Sequence, residues 1–181
     1  MRVYHNVKQN TAGHKLLCQL YCNNTNVDIC DVNELIAKLK TVKEKTKHVS
    51  VTGEEIEKLN ERVWRYLPMM DPLVDHFMSR DLDSEICKRE AYAVNEWVQS
   101  NRTFHVMRDH QSHCSVIMAG MFGAKVYRRR DLIQGLTRIM LALGSNKGHV
   151  LDRDIDQTKL ADIFWPSVKD DAVIIDFLIN F

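Results

Sequence analysis

Short apolar runs of strand length alternate with amphipathic helical stretches along nearly the whole chain. That alternation restricts it to an α/β domain with a mixed, mostly parallel sheet flanked by helices. Residues 3–6 and 27–32 predict short strands, separated by a loop that carries Cys18 and Cys22. Residues 33–47 predict a Lys-rich helix with Leu35, Ile36, Leu39 and Val42 on one face. After Gly53, the helical spacing of Ile56, Leu59, Val63 and Leu67 predicts another helix, limited by Pro68 and Pro72. Residues 73–79 predict a buried strand. Residues 87–97 predict a helix capped by Ser84, with Ala91, Val94, Trp97 and Val98 facing inward. Residues 104–107 and 115–118 are strand-like. Asp131 is placed to cap a helix carrying Leu132, Ile133, Leu136, Ile139, Met140 and Leu143, closed by Gly144. A short helix with Leu160, Ile163 and Phe164 leads into Trp165-Pro166, and residues 172–181 read as a strand or a final helix.

Ligands of open α/β sheets gather at the carboxyl ends of strands. The strand expected over 73–79 ends in Ser79-Arg80-Asp81-Leu82-Asp83-Ser84. Residues two apart share a face of an extended chain, so Asp81 and Asp83 can converge. Two adjacent carboxylates repel each other unless a cation lies between them. Their hard oxygens suit Mg²⁺ or Mn²⁺, which take one or two protein carboxylates together with waters and substrate phosphates. Arg80 or Arg89 could add a phosphate contact. An Asp-x-Asp is also common in turns and at helix N-termini, so the tripeptide leaves both readings open.

Other features narrow the class. The 181 residues suffice for one domain, read over 1–181, and a net charge of +1 supplies no field that would gather nucleic acid. Arg128-Arg129-Arg130 reads as a solvated loop. No apolar run reaches the ~20 residues of a membrane span, and no signal peptide opens the chain, which as written belongs in the cytosol. The 5 cysteines read as free thiols, with a disulfide among Cys18, Cys22 and Cys30 as the alternative. Asp109, His110, His113 and Cys114 match no zinc spacing, and neither a P-loop nor a hydrolase elbow occurs.

The ordered set Trp64-Arg65-Tyr66-Leu67-Pro68, Asp71-Pro72-Leu73-Val74-Asp75, Ser79–Ser84, Arg89-Glu90, Phe104–His110 and Gly120-Met121-Phe122-Gly123 resembles a group of glycosyltransferase-like proteins of bacterial polysaccharide loci and invertebrate animals. Their pattern is W-R-F-L-P, D-P-x-V-D, S-R-D-x-D-S, R-E, F-H-x-M-R-D-H-P and G-M-W-G, and the likeness spans roughly residues 3–177. The resemblance implies a GT-A-like fold, incomplete at both ends, and transfer of a sugar from a nucleotide diphosphate to a glycan or other hydroxyl acceptor. It implies that Asp81 and Asp83 hold Mn²⁺ or Mg²⁺, and that Arg65 and Arg80 lie near the nucleotide or its phosphates. Asp109, His110, Gly120, Gly123 and Gln157 are expected around the donor or acceptor. Asp156, in an Asp-Gln pair before the Trp165-Pro166 step, is the candidate base.

Three departures qualify the likeness. Gln111 stands where the pattern has Pro, Phe122 where it has Trp, and Ile175 where it has a late His ahead of Asp176. Isoleucine cannot ligate a metal. The alternative to an enzyme is therefore a non-catalytic remnant that serves as a binding or structural module. A full-length chain with an anchor would belong to the Golgi or another secretory compartment. A metal-dependent phosphohydrolase using the same carboxylates is a third reading.

Overall fold

The structure is a computed structural model that describes residues 2–41, 59–81, 85–108, 110, 113, 115–144 and 154–176. The sequence is read as one domain over 1–181. By their contacts the residues group into two compact units, Met1–Lys58 and Leu59–Phe181.

In the first unit, β1 (Arg2–His5) and β2 (Asp28–Asp31) pair in parallel, Arg2 opposite Asp28 and His5 opposite Asp31. The expected loop between them is instead helix α1 (Ala12–Asn23). Thr11 explains its start, because the side-chain oxygen accepts from the His14 N–H and satisfies one of the donors a helix leaves free. Cys18 and Cys22 ride on this helix, and among the described residues no disulfide joins them or Cys30. Helix α2 (Val32–Thr41) follows β2 directly; residues 42–47 of the expected helix lie outside the described residues.

The second unit is built on a four-stranded mixed sheet of order β3-β5-β4-β6, so the α/β class holds at this coarse level. Its strands are β3 (His76–Arg80), β4 (Phe104–Arg108), β5 (Met121–Lys125) and β6 (Ala172–Asp176). β5 runs antiparallel to both β3 and β4, and β4 is parallel to β6. β3, β4 and β6 therefore share a direction, and their carboxyl ends meet the start of β5 at one end of the sheet.

Two expectations change here. The strand expected over 73–79 begins only at His76, after a turn that leaves Leu73 84% exposed. Its burial alternates, as befits an edge strand, instead of being buried throughout. The strand expected over 115–118 is a bend, and Gly120 leads from it into β5, all five residues of which are buried.

Residues paired across the sheet share a face. On one face lie Phe77, Phe122, Phe104 and Val106. They meet Tyr66 and Phe164, with ring centroids 5.4 Å apart for Phe77–Phe122, 6.1 Å for Tyr66–Phe122 and 5.6 Å for Phe104–Phe164. Tyr66 belongs to a 3-10 helix, Glu61–Met70, capped by Asn60 through the Arg62 N–H. The α-helical spacing expected there gives way to a repeat of three, which puts Val63, Tyr66 and Met69 in one buried column.

The other face carries His105, Gly123 and Met107, covered by helix α3 (Lys88–Gln99). Glu90, Ala93 and Trp97 are its buried side, while Ala91 and Val98 face outward, a rotation from the expected set. Cys87 occupies the cap position without a side-chain bond; Ser84 lies outside the described residues.

Helix α4 (Arg130–Leu143) ends on Gly144 as expected, although Arg129 and not Asp131 holds its N-cap position. The next described helix, α5 (Ile155–Lys159), widens into a π-turn over Leu160–Phe164 and continues as α6 (Trp165–Val168). Pro166 has no N–H to bond four residues back, and the wide turn just before it absorbs that loss. Among the described residues no helix is long and apolar enough to cross a membrane.

Candidate functional site

Alternation along β3 sends consecutive side chains to opposite sides. Arg80 turns to the α3 side, where its guanidinium meets Glu90 at 2.6 Å and the Glu85 carbonyl at 3.2 Å. Asp81, one residue on, turns to the side of the 3-10 helix and meets Arg65, Nη1 to Oδ1 3.0 Å. Arg65 also reaches Asp156, Nε to Oδ2 3.3 Å, so one guanidinium bridges two carboxylates that lie 75 positions apart in sequence, a separation given by residues 81 and 156.

The two ends of this bridge differ. The Asp81 side chain is 47% exposed and that of Asp156 only 7%. An exposed ion pair contributes about 0–1 kcal/mol. Stripping a buried carboxylate of its cation costs about 3 kcal/mol or more. Arg65 is therefore anchored on Asp156 and touches Asp81 from there.

Three neighbours complete the arrangement. Tyr66 donates its hydroxyl to the Asp156 carbonyl at 2.8 Å. Burial, reinforced by the Asp156 charge, pushes the Tyr66 phenol far above its ordinary range, so it stays a donor. The Gln157 amide accepts from the Ala119 N–H at 2.9 Å and donates to the Ile117 carbonyl, tying the segment before β5 to α5. Gly120 follows that segment, and a Cβ added to it would overlap the Asp81 carboxylate. The Asp81 carboxylate thus sits between Arg65 and the bare backbone of Gly120.

Five sequence-predicted residues converge here: Arg65, Asp81, Gly120, Asp156 and Gln157. Others do not. Arg80 is engaged on the opposite side of the strand. Gly123 lies inside β5, opposite Met78 and His105, where an added Cβ would stand only 3.2 Å from the Trp97 ring, so its small size serves the packing of that face. His110 is exposed past β4 with its ring 5.7 Å from that of His113. Asp83 and Asp109 lie outside the described residues.

Asp156, expected as a base, is buried and ion-paired, a placement that suits an anchor better than a group meeting an acceptor hydroxyl. Gln157 spends both ends of its amide on backbone. Among the described residues no three His, Cys, Asp or Glu side chains cluster as a ready metal site. The donor set still fits a hard cation: Asp81 offers a half-exposed carboxylate, and Mg²⁺ or Mn²⁺ accepts a single protein carboxylate when phosphates and waters fill the remaining positions.

A second polar cluster includes Arg89, which the sequence offered as a phosphate contact, but its pairing with Asp176 did not show in the sequence. At the carboxyl ends of β4 and β6, Arg108 binds Asp176 through two parallel bonds, Nη2 to Oδ2 2.9 Å, while Arg89 donates to the Asp176 carbonyl at 2.6 Å. Ile175, where a late His was the expected ligand of relatives, points into a core of Ala93, Met107 and Met121. Only the strand register could have signalled this, because Met107 faces Ile175 across the β4–β6 pair. No protein family, curated protein or solved structure compared with this chain matches it.

Proposed function

We propose that the chain carries a metal-dependent nucleotide-sugar glycosyltransferase site of GT-A-like architecture, centred on Asp81. The observation that supports it best is the half-exposed Asp81 carboxylate at the carboxyl end of β3, held between Arg65 and Gly120. Mn²⁺ or Mg²⁺ bound there would neutralise charge on the diphosphate leaving group as its bond to carbon breaks. The chain's own residues do the rest. Asp81 presents oxygen donors, Asp156, tied through its carbonyl to Tyr66, holds the guanidinium of Arg65, and Gln157 holds the turn that brings Gly120 against Asp81. Asp156 is in this reading a positioning residue. The second substrate is a glycan or other hydroxyl acceptor.

The test is a melting curve of the full chain with Mn²⁺ and a nucleoside diphosphate. Binding to the folded state at a hundred times the dissociation constant stabilises it by about 2.7 kcal/mol, a rise of several degrees. Asp81→Asn removes the rise. Absence of any shift with each common nucleoside diphosphate overturns the proposal.

A second reading, a non-catalytic binding module, is favoured by Ile175, which fills a core position and offers no ligand. Donor hydrolysis with Mn²⁺ separates the two. Turnover above background sinks the module, and binding without turnover sinks the enzyme.

A further inference from the structure

Arg65 holds one carboxylate that is buried and one that is half exposed, and these contacts are unequal in what they cost to break. A cation arriving at Asp81 meets an oxygen already engaged by Nη1 at 3.0 Å. It cannot share that oxygen freely with a guanidinium, because like charges so close repel. Arg65 cannot leave the site, since Asp156 would then be buried without a counter-ion. What can give is the Nη1 contact alone. The guanidinium then stays on Asp156 through Nε and surrenders Asp81.

We propose that Arg65 is a tethered counter-ion that competes with a divalent cation for Asp81 while keeping hold of Asp156. This rests on the reading of Asp81 as a metal ligand given above. Three charged groups, two carboxylates and one guanidinium, leave one net negative charge, so the cluster attracts a cation even with Arg65 in place. Displacement turns Nη1 free beside the newly bound cation, where a diphosphate can use both charges. Gly120 serves the exchange by leaving the Asp81 carboxylate its room: a methyl group there would push it aside.

The test is Mn²⁺ binding to the full chain, measured by electron paramagnetic resonance of free Mn²⁺ without nucleotide. Arg65→Gln removes the competitor and is expected to tighten binding about fivefold, the scale of an exposed ion pair. Because Arg65→Gln strands Asp156, the double variant Arg65→Gln, Asp156→Asn is measured alongside. It restores neutrality in the buried half and is expected to tighten binding similarly. Circular dichroism establishes that each variant is folded, and the double variant decides if the single one is not. Equal or weaker Mn²⁺ binding in the folded variants overturns the competition while leaving the metal site standing. No Mn²⁺ binding in the wild type or in any variant overturns the competition, and the melting curve with Mn²⁺ and a nucleoside diphosphate then decides the metal site.

Discussion

His105 is 1% exposed on the central strand β4, with neither ring nitrogen bonded among the described residues and its ring 5.6 Å from that of Trp97. Burial lowers its pKa from 6.5 to about 4. The folded state thus resists a proton that the unfolded state accepts. Stability from this group is full above pH 6.5 and is lost as pH falls toward about 4, a total of about 3 kcal/mol. Urea denaturation of His105→Leu at pH 7 and pH 4.5 should show a shallower acid loss than the wild type, with stability at pH 7 unchanged or raised because no unsatisfied nitrogen remains. Equal acid sensitivity in both proteins would place the loss elsewhere. Lys125 solves the same burial problem differently. Its ammonium donates to the Val98 and Ser100 carbonyls at 3.2 and 2.7 Å, at the carbonyl-rich end of α3, and burial lowers its pKa.

At the scale of elements, a few polar ties set how helices sit on the sheet. Arg80 of β3 and Glu90 of α3 meet at 2.6 Å with side chains 19% and 6% exposed, so the pair fixes the start of α3 over the edge strand. Glu90→Ala leaves Arg80 without that counter-charge, and a loss of about 3 kcal/mol in urea denaturation is expected. A loss under about 0.5 kcal/mol, the scale of ordinary surface changes, would mean the pair is replaceable by solvent. The same alternation that sends Arg80 to α3 sends Asp81 to Arg65. One strand end thus supplies both a structural tie and the candidate site. That alternation was legible in the sequence; the partners were not, since Glu90 and Arg65 lie on elements whose rotation depends on packing. The 3-10 column of Val63, Tyr66 and Met69 shows the difficulty, because Val63 and Leu67 fit an α-helical spacing equally well on paper.

At the scale of the molecule, the sheet, its two covering layers and every residue of the candidate site belong to the unit Leu59–Phe181. A fragment of residues 59–181 should therefore fold cooperatively and keep the Mn²⁺-dependent shift of the full chain. Circular dichroism and thermal melts test this, and a fragment without a cooperative transition would show that the first unit is needed. What the sequence alone determined is the alternation of strands and helices, the carboxyl-end placement of Asp81 and the stop at Gly144, because each depends on neighbours a few residues away. It misread α1, where a capping Thr11 starts a helix with no buried residue to mark its face. It also misread β5, where burial on both sides erased the alternation that announces a strand. The bridge of Asp81, Arg65 and Asp156, the packing role of Gly123 and the solvent-free setting of His105 were decided only in three dimensions. Each depends on which distant element covers which side of the sheet, and that is settled by how the core packs.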